Sequence, residues 1–228
     1  MEYKKIQKIA KDTIEYARKT IRSGMNLIEV REMCEKKMIS LGADSFWYWD
    51  IGAFVFAGEE TSISVSGTQY KTSNRIIAEN DIITIDLSPQ NNDIWGDYAR
   101  TLVIENGAVI DESRISNSEW RNGIQMEKSL HNEMQKFVTP DTTFENLYYH
   151  INSIIEKNGY INLDFMGNLG HSIVKKKNDR MYIEKGNTTR LGDVALFTFE
   201  PHISVPKSKY GYKRENIYYF KNGMLAEL

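Results

Sequence analysis

Five residues in this 228-residue chain have the types and settings to hold metal: Asp86, Asp97, His171, Glu200 and Glu215. Each begins or ends a short apolar run, in the contexts ITIDLS, WGDYART, LGHSI, LFTFEPH and RENIYYF. An unpaired charge is costly to bury in such a run. Four carboxylates and one imidazole carry a formal charge near −4, which two divalent cations would cancel. Paired metals are the simplest reason to set these groups beside buried strands, and the mixed donors suit Mn, Fe, Co or Zn without choosing among them.

The segment 82–105 predicts a hairpin. A tight turn on Asn91-Asn92, residue types that tolerate positive φ, pairs 88 with 95 and 86 with 97. Asp86 and Asp97 then face each other with Cβ atoms about 4.5–5.5 Å apart, where like charges repel unless cations lie between them. Pro89 removes one ladder donor, so an irregular tip is expected. Two surface acids on a hairpin are the alternative. His171 reads as a ligand or a satisfied core histidine, and Glu215 as a ligand or a strand-edge surface acid. Glu200, between Phe199 and Pro201, would be costly to bury bare.

The elements that position these residues come in two similar series. Residues 3–22 place Ile6, Ile9, Ile14, Ala17 and Ile21 on a helical stripe, and a second helix over 27–41 ends at Gly42. Strands follow at 53–57, 62–66 and 82–87, with a return run at 95–105 and a turn at Asn106-Gly107. A second helix pair is predicted over 115–136 and 142–158, then short strands near 170–174, 193–199 and 216–220. No linker divides the halves, so one α+β domain spanning 1–228, with helices packed over a sheet, is expected.

Composition excludes some classes. A net charge of −2 gives no basic field for nucleic acid. The lone cysteine, Cys34, has no internal partner for a disulfide, which fits a reducing compartment. No apolar run approaches the roughly 18 residues of a membrane span. MEYKKIQKIAKD starts an amphipathic helix and not a signal peptide, so cytoplasmic residence is the expectation.

The five contexts together resemble the metallopeptidase family of methionine aminopeptidase, aminopeptidase P, prolidase and creatinase. That family orders its metal ligands Asp, Asp, His, Glu, Glu, with the second aspartate eleven positions after the first, as Asp97 follows Asp86 here. Arg100-Thr101 after the second aspartate is also typical. The resemblance covers about residues 50–220 and implies the pita-bread fold: an antiparallel-rich curved sheet under two pseudo-symmetric helix pairs. It implies two divalent ions on the five residues, Glu200 as general base, and a peptide or small amide-like substrate. By size it implies the catalytic domain alone. Exposed strand edges or aromatic patches would permit a homodimer.

The family pattern breaks at two substrate-side histidines. One belongs seven residues after His171, where this chain has Asn178. The other belongs in the segment GTQYKTS, where either alignment leaves Thr68 or Gln69-Tyr70-Lys71-Thr72. Gln69, Tyr70 and Asn178 are therefore candidate substitute donors, with His202 and Lys175-Lys176-Lys177 nearby in sequence. Three readings follow: an aminopeptidase or Xaa-Pro peptidase type of hydrolase, a metal enzyme of another reaction type, and a peptide- or protein-binding module. The intact ligand set ranks the first highest. The missing histidines disfavour removal of initiator methionine.

Overall fold

The N-terminal apolar stripe becomes helix α1 (Glu2–Thr20), with Ile6, Ile9, Ala10, Ile14 and Ala17 on its buried face. The computed structural model describes residues 2–228, apart from the side chain of Lys177. Helix α2 (Leu27–Ser40) opens on a capping box: Asn26 accepts the Glu29 N–H, and the Glu29 carboxylate accepts the Asn26 N–H. It stops before Gly42, whose φ of +110° a side-chain-bearing residue would resist. Among the described residues, no helix is long and apolar enough to cross a membrane.

Strands β1 (Ser45–Phe46), β2 (Ala53–Ala57) and β3 (Asp81–Leu87) follow. Next come β4 (Pro89–Asn91), β5 (Ile94–Trp95), β6 (Tyr98–Glu105) and β7 (Ala108–Val109). An antiparallel sheet in the order β2-β3-β6-β7 lies against α1 and α2. The alternation of β3 divides its side chains. Ile83, Ile85 and Leu87 join the core under the first helix pair, and Ile82 packs with the core of the second half. Residues 82, 84 and 86 share that second face, which carries Asp86 away from the first helices.

Helices α3 (Ser118–Phe137) and α4 (Phe144–Lys157) repeat the arrangement, capped by Asn117 and Thr143. They cover β8 (Ile161–Asn162), β9 (Phe197–Phe199), β10 (His202–Ser204), β11 (Tyr212–Lys213), β12 (Asn216–Lys221) and β13 (Met224–Glu227). These strands pair as β11-β10-β8 and β13-β12-β9, all antiparallel. Each helix pair covers its own core, and a smaller cluster of Trp47, Trp95, Ile173, Leu196 and Ile217 joins residues of the two halves; helices packed over antiparallel sheets make the fold α+β.

Three local expectations need correction. The hairpin turn centres on Asn92-Asp93, whose φ values are +49° and +62°, not on Asn91-Asn92. Asn91 Nδ2 donates to the Gly42 carbonyl and Asn92 N–H to Asp44, which fixes the tip against the end of α2. Moving the turn by one residue moves the register by two, so Asp86 faces Ala99 and not Asp97. An even shift keeps both aspartates on one face, as diagonal neighbours. Residues 62–66 are not a strand. Gly58–Ser62 is a 3-10 turn, and the loop after it borders the cavity described below. Residues 170–174 make only isolated bridges, His171 to Tyr182 and Ser172 to Phe197, because Gly170 turns the backbone at φ +138°.

Candidate metal centre

Asp97 lies between β5 and β6, where its backbone leaves the ladder. Gln7 of α1 takes the place of a strand: its Nε2 donates to the Asp97 carbonyl at 2.7 Å, and its Oε1 accepts the Asp97 N–H at 3.0 Å. Gly96 permits this approach, since a Cβ there would lie 2.8 Å from Gln7 Oε1. Gln7 is itself buried, so both halves of its amide are satisfied by one residue of the site.

His171 and Glu200 are set by one hydroxyl. Thr198 Oγ1 accepts the His171 N–H at 2.9 Å and donates to Glu200 Oε1 at 3.0 Å. His171 Nδ1 lies 3.2 Å from the Ser172 carbonyl, which assigns the proton to Nδ1 and turns the Nε2 lone pair inward. Nε2 then stands 3.5 Å from Glu200 Oε1 and 3.9 Å from Asp97 Oδ2. Glu215 leads into β12. Its N–H donates to the Ala99 carbonyl, and Arg100 of β6 donates to the Glu215 carbonyl and to Asn216 Oδ1, each at 2.7 Å. Arg100 thereby ties the two sheets together at the site. Helix α3 adds His131, whose Nε2 is 3.0 Å from the Arg214 carbonyl and whose Nδ1 is 2.8 Å from the Tyr218 hydroxyl.

Asp86, Asp97 and Glu215 each offer an oxygen within 4.8 Å of the others. Both oxygens of the fully buried Glu215 carboxylate lack a hydrogen-bond partner. Orphaned acceptors facing two more carboxylates fit a hard or borderline cation.

The profile of metallopeptidase family M24 matches residues 2–222. The chain belongs to metallopeptidase family M24. No curated protein matches the sequence. Among solved structures, X-Pro aminopeptidase from Thermotoga maritima MSB8 is 19% identical, with a TM-score of 0.81 over 98% of this chain and 58% of that one. Prolidase from Pyrococcus furiosus is 21% identical, with a TM-score of 0.80 over 98% and 61%. Methionine aminopeptidase from Thermotoga maritima is 16% identical, with a TM-score of 0.76 over 98% and 93%. The fold is therefore the pita-bread fold, and this M24 chain spans about three-fifths of the length of the first two structures.

Burial raises the Asp97 pKa well above the usual carboxylate range, and the neighbouring Asp86 and Glu200 add to the rise. Burial does the same to Glu215, reinforced by Asp97, Glu200 and Asp86. Burial also pushes Glu200 upward, but Lys213 and His171 outweigh it and hold the carboxyl below its ordinary value. Burial lowers the His171 pKa to about 4 against the pull of Glu200, so the ring is neutral near pH 7. A neutral imidazole is the form that ligates metal.

The M24 resemblance did not single out Lys213. Its Nζ lies 2.5 Å from Asp86 Oδ2, 3.0 Å from Glu200 Oε2 and 3.9 Å from Glu215 Oε2. Burial disfavours the ammonium, yet Asp86, Glu200 and Glu215 overcome this and hold its pKa well above the ordinary lysine value. Thr101 clamps its backbone: Oγ1 accepts the Lys213 N–H at 2.9 Å and donates to the Lys213 carbonyl at 3.0 Å.

A cavity opens over the cluster. Asp86, Asp97, His171, Glu200 and Lys213 form its floor, and Trp47, Tyr48, Phe54, Val65, Phe165, Met166 and Tyr182 form apolar walls. Ser64, Ser88, Asp164, Asn168 and Arg180 supply the other polar groups. Arg180 sits over the rings of Trp47, Tyr48 and Tyr182 at 5.1–5.5 Å.

The proposed substitute donors do not line this cavity. Gln69 is exposed in a turn, and Asn178 is exposed on the short 3-10 helix Lys177–Asp179. Tyr70 is buried, but its hydroxyl is engaged with the backbone of Val55 and with Thr72. Its ring backs Phe54 at 4.4 Å. His202 is buried with Nε2 at 2.8 Å from the Thr61 carbonyl, a structural contact. Trp95 stacks on Trp47 at 3.6 Å and donates to the Val174 carbonyl, forming the wall behind His171. Lys175 and Lys176 are exposed.

Proposed function

We propose that this chain is a metal-dependent hydrolase of the aminopeptidase or Xaa-Pro peptidase type, acting on peptide N-termini or a small amide-like substrate. One observation carries the reading: Asp86, Asp97 and Glu215 converge with His171 and Glu200 beside them, and Glu215 has two buried oxygens with no hydrogen-bond partner. His171, Asp97, Glu200 and Glu215 would hold one divalent ion, and Asp86, Asp97 and Glu215 a second. Such ions supply positive charge that polarises a peptide carbonyl and acidifies water.

The chain's own groups divide the remaining work. Glu200, with its low pKa and its Thr198 hydrogen bond, is available to take a proton from attacking water and return it to the leaving amine. The aromatic walls fit an apolar side chain or a proline ring and exclude water from it. Arg180, over three aromatic rings in the cavity lining, would bring positive charge to a substrate carboxylate. With the two family histidines replaced, the oxyanion would lack donors worth about 2.7–4 kcal/mol each, which favours a slow or specialised enzyme.

The experiment is amino-acid release from a panel of Xaa-Pro dipeptides and longer peptides, with Mn or Co added and with chelator. Metal-dependent release is expected, falling by about 10²–10⁴-fold in Glu200→Gln. Absence of release from every peptide by metal-bound protein would reject the peptidase reading.

A further inference from the structure

Lys213 places a cation of the protein's own inside the carboxylate cluster. Its ammonium is within 3.0 Å of oxygens on both Asp86 and Glu200 and 3.9 Å from Glu215, so it spans both halves of the ligand set. This position is built and not incidental. Thr101 pins both ends of the residue's backbone unit, and β11 is paired through His202 to β10. The adjacent Arg214 carbonyl is held by His131, and Arg100 holds the next carbonyl, at Glu215. Three consecutive residues are thus fixed by partners from β6 and α3.

We infer that Lys213 acts as a tethered competitor for the Asp86 side of the centre. One divalent ion binds tightly against His171, and a second has to compete with the ammonium for Asp86. The inference rests on the reading of the five residues as metal ligands. Formal charges point the same way. With Lys213 the four carboxylates total −3; one divalent ion brings the cluster to −1, and a second takes it to +1. Without the lysine, two ions bring the same cluster to zero. Like charges in a buried site repel strongly, so the ammonium at Asp86 opposes a second ion there and lowers its affinity. The centre would then be filled in two steps of unequal affinity.

The test is calorimetric titration of the full chain with Mn²⁺, with bound metal counted by atomic emission, in wild type and Lys213→Met. Wild type is expected to bind a second ion at least about tenfold more weakly than the first. Lys213→Met is expected to tighten the second ion by about tenfold or more and leave the first nearly unchanged. The metal-free variant should melt lower than wild type, because Asp86 and Glu200 lose their cation, and should gain more from added Mn²⁺. Lys213→Gln, which keeps a donor to Asp86 without the charge, repeats the titration if the methionine variant does not fold. An unchanged or weakened second ion in a folded variant would overturn the competition and leave the ligand reading standing. No ion bound by either protein would overturn both.

Discussion

Asp97→Ala is expected to lower Mn²⁺ or Co²⁺ affinity by more than about 100-fold and to leave the metal-free protein at least as stable as wild type. Asp97 lies next to Asp86 and Glu215 on one side and His171 on the other, so it would serve both halves of the proposed ligand set. Partners one shell out from a metal already cost about 10–100-fold when removed, so a residue offered to both ions should cost more. The stability half of the prediction follows from electrostatics. Burial, Asp86 and Glu200 all disfavour the Asp97 carboxylate, so removing it relieves repulsion in the absence of metal. Its backbone contacts to Gln7 do not depend on its side chain. Titration calorimetry and metal-free melting curves read the two effects separately. Undiminished affinity in the variant would remove Asp97 from the ligand set.

Gly170→Ala is expected to destabilise the protein by about 3 kcal/mol, from backbone strain and overpacking together. At φ +138° an L-residue is strained, and the added Cβ would lie 2.4 Å from the Thr198 carbonyl oxygen. That oxygen cannot withdraw easily, because the Thr198 N–H donates to the His171 carbonyl at 2.7 Å and Thr198 is in register with Ile217. Any shift would separate His171 from Glu200, so metal affinity should fall with stability. Gly159→Ala is the control: its φ is +77° but nothing lies within 4 Å, so it carries conformational strain alone, about 1 kcal/mol. Denaturant midpoints compare the two. Equal losses would mean that the close approach of residue 170 to β9 has no energetic consequence.

Much of the architecture was legible because helices here obey local rules. The stripe of Ile6, Ile9, Ile14 and Ala17 and the stop at Gly42 mark α1 and the end of α2 without reference to anything distant. The five convergent residues were legible because each is a charge set against a buried apolar run. Register was harder. Asn91-Asn92 and Asn92-Asp93 suit a tight turn equally well, and the choice is made by Gly42 and Asp44, nearly fifty residues away. The run SISVS has strand-like alternation, but ladder partners and not alternation make a strand, and here the chain turns to border the cavity instead.

Two residues that shape the centre escaped sequence reasoning for different reasons. Gln7 left a signal: it falls on the apolar face of α1 beside Ile6 and Ala10, where an amide needs a partner. Lys213 left none. In YGYKRE a lysine reads as an ordinary exposed cation, and only the pairing of β11 with β10 and its grip on Thr101 turn it toward Asp86. Alignment position points to Gln69 and Asn178 as substitute donors, whereas the polar groups that line the cavity come from other loops, notably Arg180, Asp164 and Asn168.

The most direct measurement is anomalous diffraction from crystals of the full chain soaked in Mn²⁺ or Co²⁺. A peak bounded by Asp97, His171, Glu200 and Glu215 is expected, joined at higher metal concentration by a second peak at Asp86 as Lys213 moves aside. Metal density elsewhere on the molecule, with none among these five residues, would contradict the metal centre on which the proposed hydrolysis depends.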